Sequence, residues 1–296
     1  MPLTLWYASD WTLPAHRYTP PMIPTRQRDT LPAPLSYTRS KKRGKPVYAP
    51  VLISESGGIR YLHFGTEWIQ GAMRLSNPNK VILSYAKSML AWLLFVEKPE
   101  RIAQLGLGTG ALTKFCYHFL PRAHITAVEL NPEVVSVCNT LFCLPPQGKR
   151  LSVLMRDAMD FVRDRKNHGV FDVLQVDLYD ATARGPVWDT PEFYMACRHC
   201  LRKGGVLSVN LFGVSPCYER NKAALARAFP LVLPMPPCKE GNIVVLAFEE
   251  TPVWDSARIE ERARQVWRKT GLPAMTWLRG LRRAIAPGTG KPSARQ

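Results

Sequence analysis

The sequence has no apolar run long enough to cross a bilayer. Its longest such run, Met89 to Val96, falls well short of the roughly 20 residues that a spanning helix needs. The first residues also lack the basic segment followed by an apolar segment that marks a secretory signal. The 7 cysteines are an odd number in a chain of 296 residues, which is typical of reduced thiols rather than of a disulfide framework. We therefore expect a cytoplasmic protein without a membrane segment.

Metal-binding patterns are scarce as well. The segment Cys197 to Cys200 is a single C-x-x-C without a second pair of ligands, and it lies in a stretch with helical character. The 6 histidines are scattered without metal-ligand spacing. Helix packing is the simpler interpretation of both observations, and we expect no metal site.

Acidic residues are few relative to basic ones, with 23 Asp and Glu against 40 Lys and Arg. The basic excess lies at the two ends: eight basic against two acidic residues in 1–50, and ten against two in 258–296. Basic ends of this kind are usually solvated, although they can make weak, non-specific contacts with polyanions. The charge alone therefore does not indicate a nucleic-acid-binding protein.

Composition divides the chain into four parts. Residues 1–46 are rich in Pro, Arg, Ser and Thr, which predicts a disordered leader. Residues 47–75 contain short strand-like runs around the turn at Gly57, which predicts a small N-terminal β element. Residues 76–254 are expected to form the main domain, and 255–296 a basic amphipathic helix with a tail. The helix is expected from Asp255 to about Arg283, and the residues at helical spacing on its apolar face are Ile259, Ala263, Val266 and Trp267.

The main domain alternates between strand-like and helix-like segments. A long helix is expected first, from Asn77 to Phe95, with Asn77 as its N-cap. Six short apolar runs follow as predicted strands: RIAQLGL, HITAVEL, LSVLM, FDVLQVD, GVLSVNLF and NIVVLAF. The helices between them are predicted at 111–120, 132–141, 158–166, 190–202 and 219–228. This alternation predicts an α/β fold, a doubly wound, Rossmann-like parallel sheet covered on both faces.

Three glycines, Gly106, Gly108 and Gly110, stand between the first of these strands and the next helix. Glycines at this position let the backbone turn tightly and approach a ligand at the helix N-terminus. The pattern is weak evidence alone, because ordinary strand–helix turns also use glycine. It lacks the last glycine of the dinucleotide fingerprint and has Lys114 four residues after Gly110, which argues against a dinucleotide.

Acidic residues follow the next three strands. Glu129 ends the second strand, where an acid can accept both hydroxyls of a ribose. Asp157 follows the third strand, where it can accept from an adenine amino group, cap the next helix, or do both. Asp177 and Asp180 follow the fourth strand, either as turn formers or as a pocket that binds a cation or takes its proton. A row of acids at one sheet edge favours a positively charged nucleoside, such as a sulfonium of the S-adenosylmethionine type.

From about Ile59 to Glu249 the chain resembles the polyamine aminopropyltransferases, the spermidine and spermine synthase family. The loop GLGTGAL stands in place of that family's GGGDGG, and DLYDATARGP is similar to its DSSDPxGP signature. The resemblance implies a small β-domain joined to a domain of the methyltransferase type. It also implies a homodimer, a small-molecule amine substrate and decarboxylated S-adenosylmethionine as cosubstrate, with no tightly bound cofactor.

The same resemblance implies roles for individual residues. Gln70 would contact the nucleoside and Tyr85 the amine. Glu129 matches the family's ribose acid and Asp157 its adenine-side acid. The resemblance and the strand-end positions therefore predict the same roles for these two residues. Asp177 would help to deprotonate the attacking amine. Asp180 would bind the amine chain.

The chain departs from the family pattern at three places. Thr109 stands where the family has an aspartate in the glycine loop, and Ala86 stands where it has a glutamine. The late tyrosine is missing from the segment Met235 to Pro237. These departures leave two other hypotheses open: a methyltransferase that uses S-adenosylmethionine itself, and a non-catalytic homologue that binds nucleosides or polyamines.

Overall fold

The computed structural model describes residues 48–179, 188–213 and 217–285, with side chains through residue 283. The predicted leader, residues 1–46, the last residues of the predicted tail and Asp180 lie outside these ranges. Within them, every helix is too short or too polar to span a bilayer.

The N-terminal segment forms a three-stranded antiparallel sheet. It consists of β1 (Val51–Ser56), β2 (Ile59–Phe64) and β3 (Gly71–Arg74), in the order β1-β2-β3. The turn between β1 and β2 uses Gly57 and Gly58 at φ values of 58° and 71°, a region that favours glycine. The third strand-like run of the sequence, EWIQ (Glu67–Gln70), is not itself a strand, and β3 begins directly after it, at Gly71.

The main sheet has seven strands and confirms the predicted α/β, Rossmann-like doubly wound fold. The strands are β4 (Arg101–Leu105), β5 (His124–Glu129), β6 (Leu151–Met155), β7 (Phe171–Val176), β8 (Leu201–Phe212), β9 (Leu231–Pro234) and β10 (Asn242–Phe248). Their order is β6-β5-β4-β7-β8-β10-β9. All six predicted strands form, and β9 is an additional one.

The sequence predicts a parallel sheet, but the observed sheet is mixed. β4 to β8 pair in parallel, whereas β10 pairs antiparallel with both β8 and β9. The chain runs outward from β4 through β5 to β6 and then returns to β7 on the other side of β4. Ligands in open α/β sheets bind at such a reversal, beyond the carboxyl ends of the strands.

Helices cover both faces of the main sheet. Their bounds are α1 (Ser84–Ser88), α2 (Ala111–Phe119), α3 (Pro132–Thr140), α4 (Ala158–Arg163), α5 (Pro191–Cys200), α6 (Cys217–Ala228), α7 (Ser256–Thr270) and α8 (Ala274–Ile285). One buried cluster joins the sheet to α1, α2, α3, α7 and α8, and a second joins it to α4, α5 and α6.

The long helix predicted from Asn77 to Phe95 is wrong. Only α1 and a 3-10 turn, Ala91–Leu94, form within that segment. The hydroxyl of Ser208 in β8 donates to the carbonyl oxygen of Met89 at 2.9 Å, which places a tertiary hydrogen bond where the helical ladder would continue. Residues 89–94 are also buried all round, so packing determines their conformation more than intrinsic helix preference does.

The single C-terminal helix predicted from Asp255 to Arg283 is two helices. α7 ends at Gly271, which has a left-handed φ of 69°, and Pro273 precedes α8. Ile259 and Val266 of α7 are buried as the helical spacing predicts. Trp267, for which the spacing predicts the same buried face, is instead 56% exposed.

This pair of helices gives a direct test of packing. Trp277 in α8 is only 3% exposed, so Trp277→Ala should lower the free energy of unfolding by about 3–5 kcal/mol. Trp267→Ala removes the same side chain from an exposed position and should change it by no more than about 0.5 kcal/mol. Urea denaturation of both variants measures the two values. Equal losses would contradict the packing of α8 on the sheet.

Candidate active site

The glycine loop and the end of β7 are in direct backbone contact. Gly106 has a φ of 90°, and a Cβ atom at this position would overlap the carbonyl oxygen of Asp177. The amide of Asp177 in turn donates to the carbonyl of Leu105 at 2.9 Å. Glycine is therefore required at 106 both by its backbone conformation and by the approach of the strand that carries Asp177.

Buried side chains hold the rest of the loop. Gly108 and Gly110 have φ values of 53° and 66°, and a Cβ on Gly110 would lie 2.8 Å from a methyl group of Leu144. Thr113 Oγ1 donates to Gln104 Oε1 at 2.6 Å, and Gln104 Nε2 donates to the carbonyl of Gly106 at 2.8 Å. Because each of these groups is satisfied inside the protein, the loop is fixed before any ligand binds.

Lys114, which distinguishes this loop from a dinucleotide fingerprint, is buried inside the protein. Its Nζ donates to the carbonyl of Phe142 at 2.7 Å and is buried, and burial lowers its pKa to about 8. The lysine is thus a structural contact under α2.

Glu129 is held by backbone amides at the tip of β5. Its Oε2 accepts from the amide of Leu107 at 3.0 Å, and its Oε1 accepts from that of Asn131 at 2.9 Å. Burial raises the pKa of Glu129, while these N–H donors act in the opposite direction. The carboxylate therefore has a fixed orientation, with lone pairs left on both oxygens for a pair of hydroxyl donors.

Asp157 caps a helix. Its Oδ1 accepts from the amides of Met159 and Asp160 at 2.8 and 3.2 Å, which makes it the N-cap of α4. Both bonds use Oδ1, and no hydrogen bond from another described residue reaches Oδ2. Asp157 can therefore cap α4 through Oδ1 and still accept from a ligand through Oδ2, which is the combination that the sequence left open.

The carboxylate of Asp177, directly after β7, has few hydrogen-bond donors around it. Within the described residues its side chain makes one hydrogen bond, which Oδ1 accepts from Asn210 Nδ2 at 2.9 Å. Burial raises its pKa to about 6, and the hydrogen bond from Asn210 offsets only part of this rise. A carboxyl group with this pKa can give up and accept a proton near neutral pH.

A network of amides and a phenol supports Asp177 from β8 and β10. Asn242 Nδ2 donates to Asn210 Oδ1 at 3.0 Å and to the hydroxyl of Tyr179 at 3.3 Å. The hydroxyl of Tyr179 donates to the carbonyl of Asn210 at 3.2 Å. Burial raises the pKa of Tyr179 well above its usual value, so the phenol remains a donor. No role for these residues follows from the sequence alone. The one hint it contains is that two asparagines stand within apolar strands, where a buried amide needs a hydrogen-bond partner.

The N-terminal sheet covers this edge. Tyr85 of α1 donates to the backbone carbonyl of Gln70 at 3.3 Å, just before β3. Burial raises the pKa of Tyr85 well above its usual value, and the negative charge of Asp177 adds to the rise. Tyr85 and Asp177, predicted from separate motifs, thus lie near each other.

Two of the departures from the family pattern are buried. Thr109 is 3% exposed and packs against Gly71, where a Cβ would lie 2.6 Å from the threonine methyl group. Ala86 is buried on the inner side of α1. Thr109 therefore fills the contact between the glycine loop and the N-terminal sheet.

No described arginine or lysine forms an ion pair with Glu129, Asp157 or Asp177. The three acids lie at the carboxyl ends of β5, β6 and β7, which are parallel strands of one sheet with β4 between β5 and β7, so they lie along the same edge of the sheet. Among the described residues, this edge thus presents carboxylates without a paired cation.

Sheet order, glycine loop and strand-end acids together define an α/β protein of the S-adenosylmethionine methyltransferase fold class. A family model described as spermine/spermidine synthase domain matches residues 84–224. A polyamine aminopropyltransferase of Neisseria meningitidis is 32% identical over 86% of this chain and 96% of its own length. The chain belongs to the spermine/spermidine synthase family.

Solved structures share the fold. A probable spermidine synthase from Corynebacterium glutamicum superposes with a TM-score of 0.62 at 19% identity, over 83% of this chain and 95% of its own. Human methyltransferase-like protein 13, solved in complex with SAH, superposes with a TM-score of 0.56 at 22% identity, over 72% and 97%. The same fold thus occurs in a protein named a probable spermidine synthase and in one named a methyltransferase-like protein.

The contact between Gly106 and Asp177 generates a prediction with a matched control. Gly57→Ala places a Cβ in open space at a φ of 58°, so only backbone strain of about 1–2 kcal/mol is expected. Gly106→Ala adds a clash with the chain of β7, and we expect a larger loss of stability together with loss of nucleoside binding. Urea denaturation and calorimetric titration with methylthioadenosine measure the two effects. Equal behaviour of both variants would show that the close approach at Gly106 has no consequence.

Proposed function

We propose that this protein transfers an aminopropyl group from decarboxylated S-adenosylmethionine to the nitrogen of a polyamine-type amine. The observation that carries the proposal is Asp177, a desolvated carboxylate with a pKa of about 6 beside the glycine loop. The similarity to polyamine aminopropyltransferases over most of the chain supports the same reaction.

The donor would occupy the edge formed by β4, β5 and β6. Glu129, fixed by two backbone amides, offers its free lone pairs to the ribose hydroxyls. Asp157 offers Oδ2 to the adenine amino group, and the backbone near Gln70 closes the nucleoside from above. Gly106, Gly108 and Gly110 let the chain pass close under the sulfonium side of the donor.

The acceptor would lie between Asp177 and Tyr85. A polyamine arrives as an ammonium ion, which the carboxylate attracts and orients. The ammonium loses one proton to Asp177, and the nitrogen lone pair attacks the carbon next to the sulfonium. The new C–N bond forms as the C–S bond breaks. The electron pair of the C–S bond goes to sulfur, which leaves as a neutral thioether. Asp180, outside the described residues, is assigned to the amine chain by the family motif alone.

Methyl transfer from S-adenosylmethionine is the second candidate, because Thr109 replaces a carboxylate that the family places in the glycine loop. The two donors differ in one group, the α-carboxylate that only S-adenosylmethionine carries. The family-based homodimer and the polyanion contacts of the basic ends stay predictions.

Asp177→Asn should lower the rate of aminopropyl transfer by about 10²–10⁴-fold, the range for loss of a general base. The base acts when deprotonated, so in the native protein kcat/KM should rise as pH increases through about 6, the pKa of Asp177. The asparagine variant should lack this limb. Mass spectrometry of the products formed with a panel of diamines and polyamines measures both.

A matched control is Asp255→Asn, because Asp255 caps α7 away from the site and asparagine is an equally good cap. It should keep the native rate and pH profile. If Asp177→Asn behaves like this control, Asp177 is not the base and the proposed mechanism fails.

Donor choice separates the two candidate reactions. Anionic side chains line the sheet edge without arginine or lysine partners among the described residues, so the α-carboxylate of S-adenosylmethionine should be repelled. We expect the decarboxylated compound to bind at least about tenfold more tightly, a difference near 1.4 kcal/mol. Calorimetric titration of the native protein with each compound measures it. Tighter binding of the carboxylated compound would favour methyl transfer.

A further inference from the structure

The loop between β9 and β10 reaches across the sheet edge to α1. Within this loop the amide of Cys238 donates to the carbonyl of Asn242 at 2.7 Å, and the amide of Gly241 donates to that of Cys238 at 3.0 Å. This tight turn directs Glu240 toward α1. Its Oε1 accepts from the amide of Ser84 at 2.8 Å, and its Oε2 accepts from the Ser84 hydroxyl.

The contact supplies what α1 lacks in its own sequence. The N-cap position is Leu83, whose side chain makes no capping hydrogen bond. The first amides of a helix need acceptors, and a carboxylate is also favoured there by the helix dipole. Glu240 is therefore the cap of α1, supplied from 156 positions away in the chain. The amide of Lys239 adds a bond to Ser84 Oγ at 3.2 Å.

The capped residue is the immediate neighbour of Tyr85. Since α1 has only five residues, the placement of its first turn decides where the Tyr85 phenol lies. That phenol bonds to the carbonyl of Gln70 and lies close enough to Asp177 and Glu240 for their charges to act on it. A displaced cap would thus move the group that faces the acceptor amine.

We propose that Glu240 is a positioning residue for the acceptor side of the site. By capping α1 it fixes Tyr85 opposite Asp177, so the β9–β10 loop and α1 form one wall of the amine pocket. Both oxygens of Glu240 accept hydrogen bonds from Ser84, so we assign its effect to the placement of α1 and not to a contact with the amine. This inference rests on the proposed function.

The test compares two substitutions of Glu240. Glu240→Ala removes the cap, and we expect KM for the amine to rise about tenfold or more, as loss of a hydrogen bond to a charged group implies, with little change in KM for the donor. Glu240→Gln keeps an oxygen that can accept from the Ser84 amide and should restore KM to within about threefold. If glutamine is as damaging as alanine, charge rather than positioning is responsible and the proposal is wrong.

Hydrogen exchange gives a readout that needs no turnover. The amides of residues 84–89 should exchange faster in Glu240→Ala than in the native protein, and should be protected again in Glu240→Gln. Glu250→Ala is the control, because Glu250 is exposed and pairs with Lys203 at 4.0 Å away from the site. It should match the native protein in both assays.

The two failures can be told apart. Absence of aminopropyl transfer by the native protein would remove the proposed function, while the exchange measurement would still test the cap. Native exchange of residues 84–89 in Glu240→Ala, or an unchanged amine KM in that variant, would overturn the positioning role alone.

Discussion

The candidate site depends on the cost of removing carboxylates from water. An ionised carboxyl group that is buried needs either donors or a cation, and otherwise its pKa rises. Glu129 and Asp177 lie at the same edge and meet this requirement differently. Two backbone amides fix Glu129, whereas Asp177 has a single neutral donor, Asn210. Burial raises the pKa of both acids, so the two differ in the number of donors that hold the carboxylate and not in the direction of the shift.

The N-terminal sheet contributes to this desolvation because it covers the sheet edge. Gly71 packs on Thr109, Asn131 Nδ2 donates to the carbonyl of Ala49 at 3.2 Å, and Tyr85 bonds to Gln70. These contacts tie three separate elements of the main domain to the small sheet. An arrangement in which the sheet moved away would expose the carboxylates to water and return their pKa values toward the usual range. The small sheet is therefore a part of the site.

The position of the acids at one edge could be predicted from the sequence because each acid stands at the end of an apolar, strand-like run. Glu129, Asp157 and Asp177 each follow an apolar run, and parallel strands bring such ends to one edge. It could not find the Asn242–Asn210–Asp177 network or the cap of α1 by Glu240, because these contacts join segments far apart in the chain. The error of predicting one helix from Asn77 to Phe95 has the same cause. Ser208 of β8, which is distant in the sequence, donates to the carbonyl of Met89 at the point where the helix would have continued. Local sequence patterns predict where helices and strands form, whereas long-range contacts decide where a predicted helix or strand is interrupted.

The replacement at Thr109 changes the electrostatics of Asp177. An aspartate in the glycine loop, as in the family pattern, would place a second carboxylate near the same edge, and like charges raise each other's pKa. With threonine, the rise at Asp177 has burial as its cause and no carboxylate neighbour contributes. Asp177 therefore ionises near pH 6 and is mostly deprotonated at neutral pH even before a cation binds. The substitution removes one carboxylate from the edge, and under the proposed mechanism it leaves Asp177 in the form that amine attack requires.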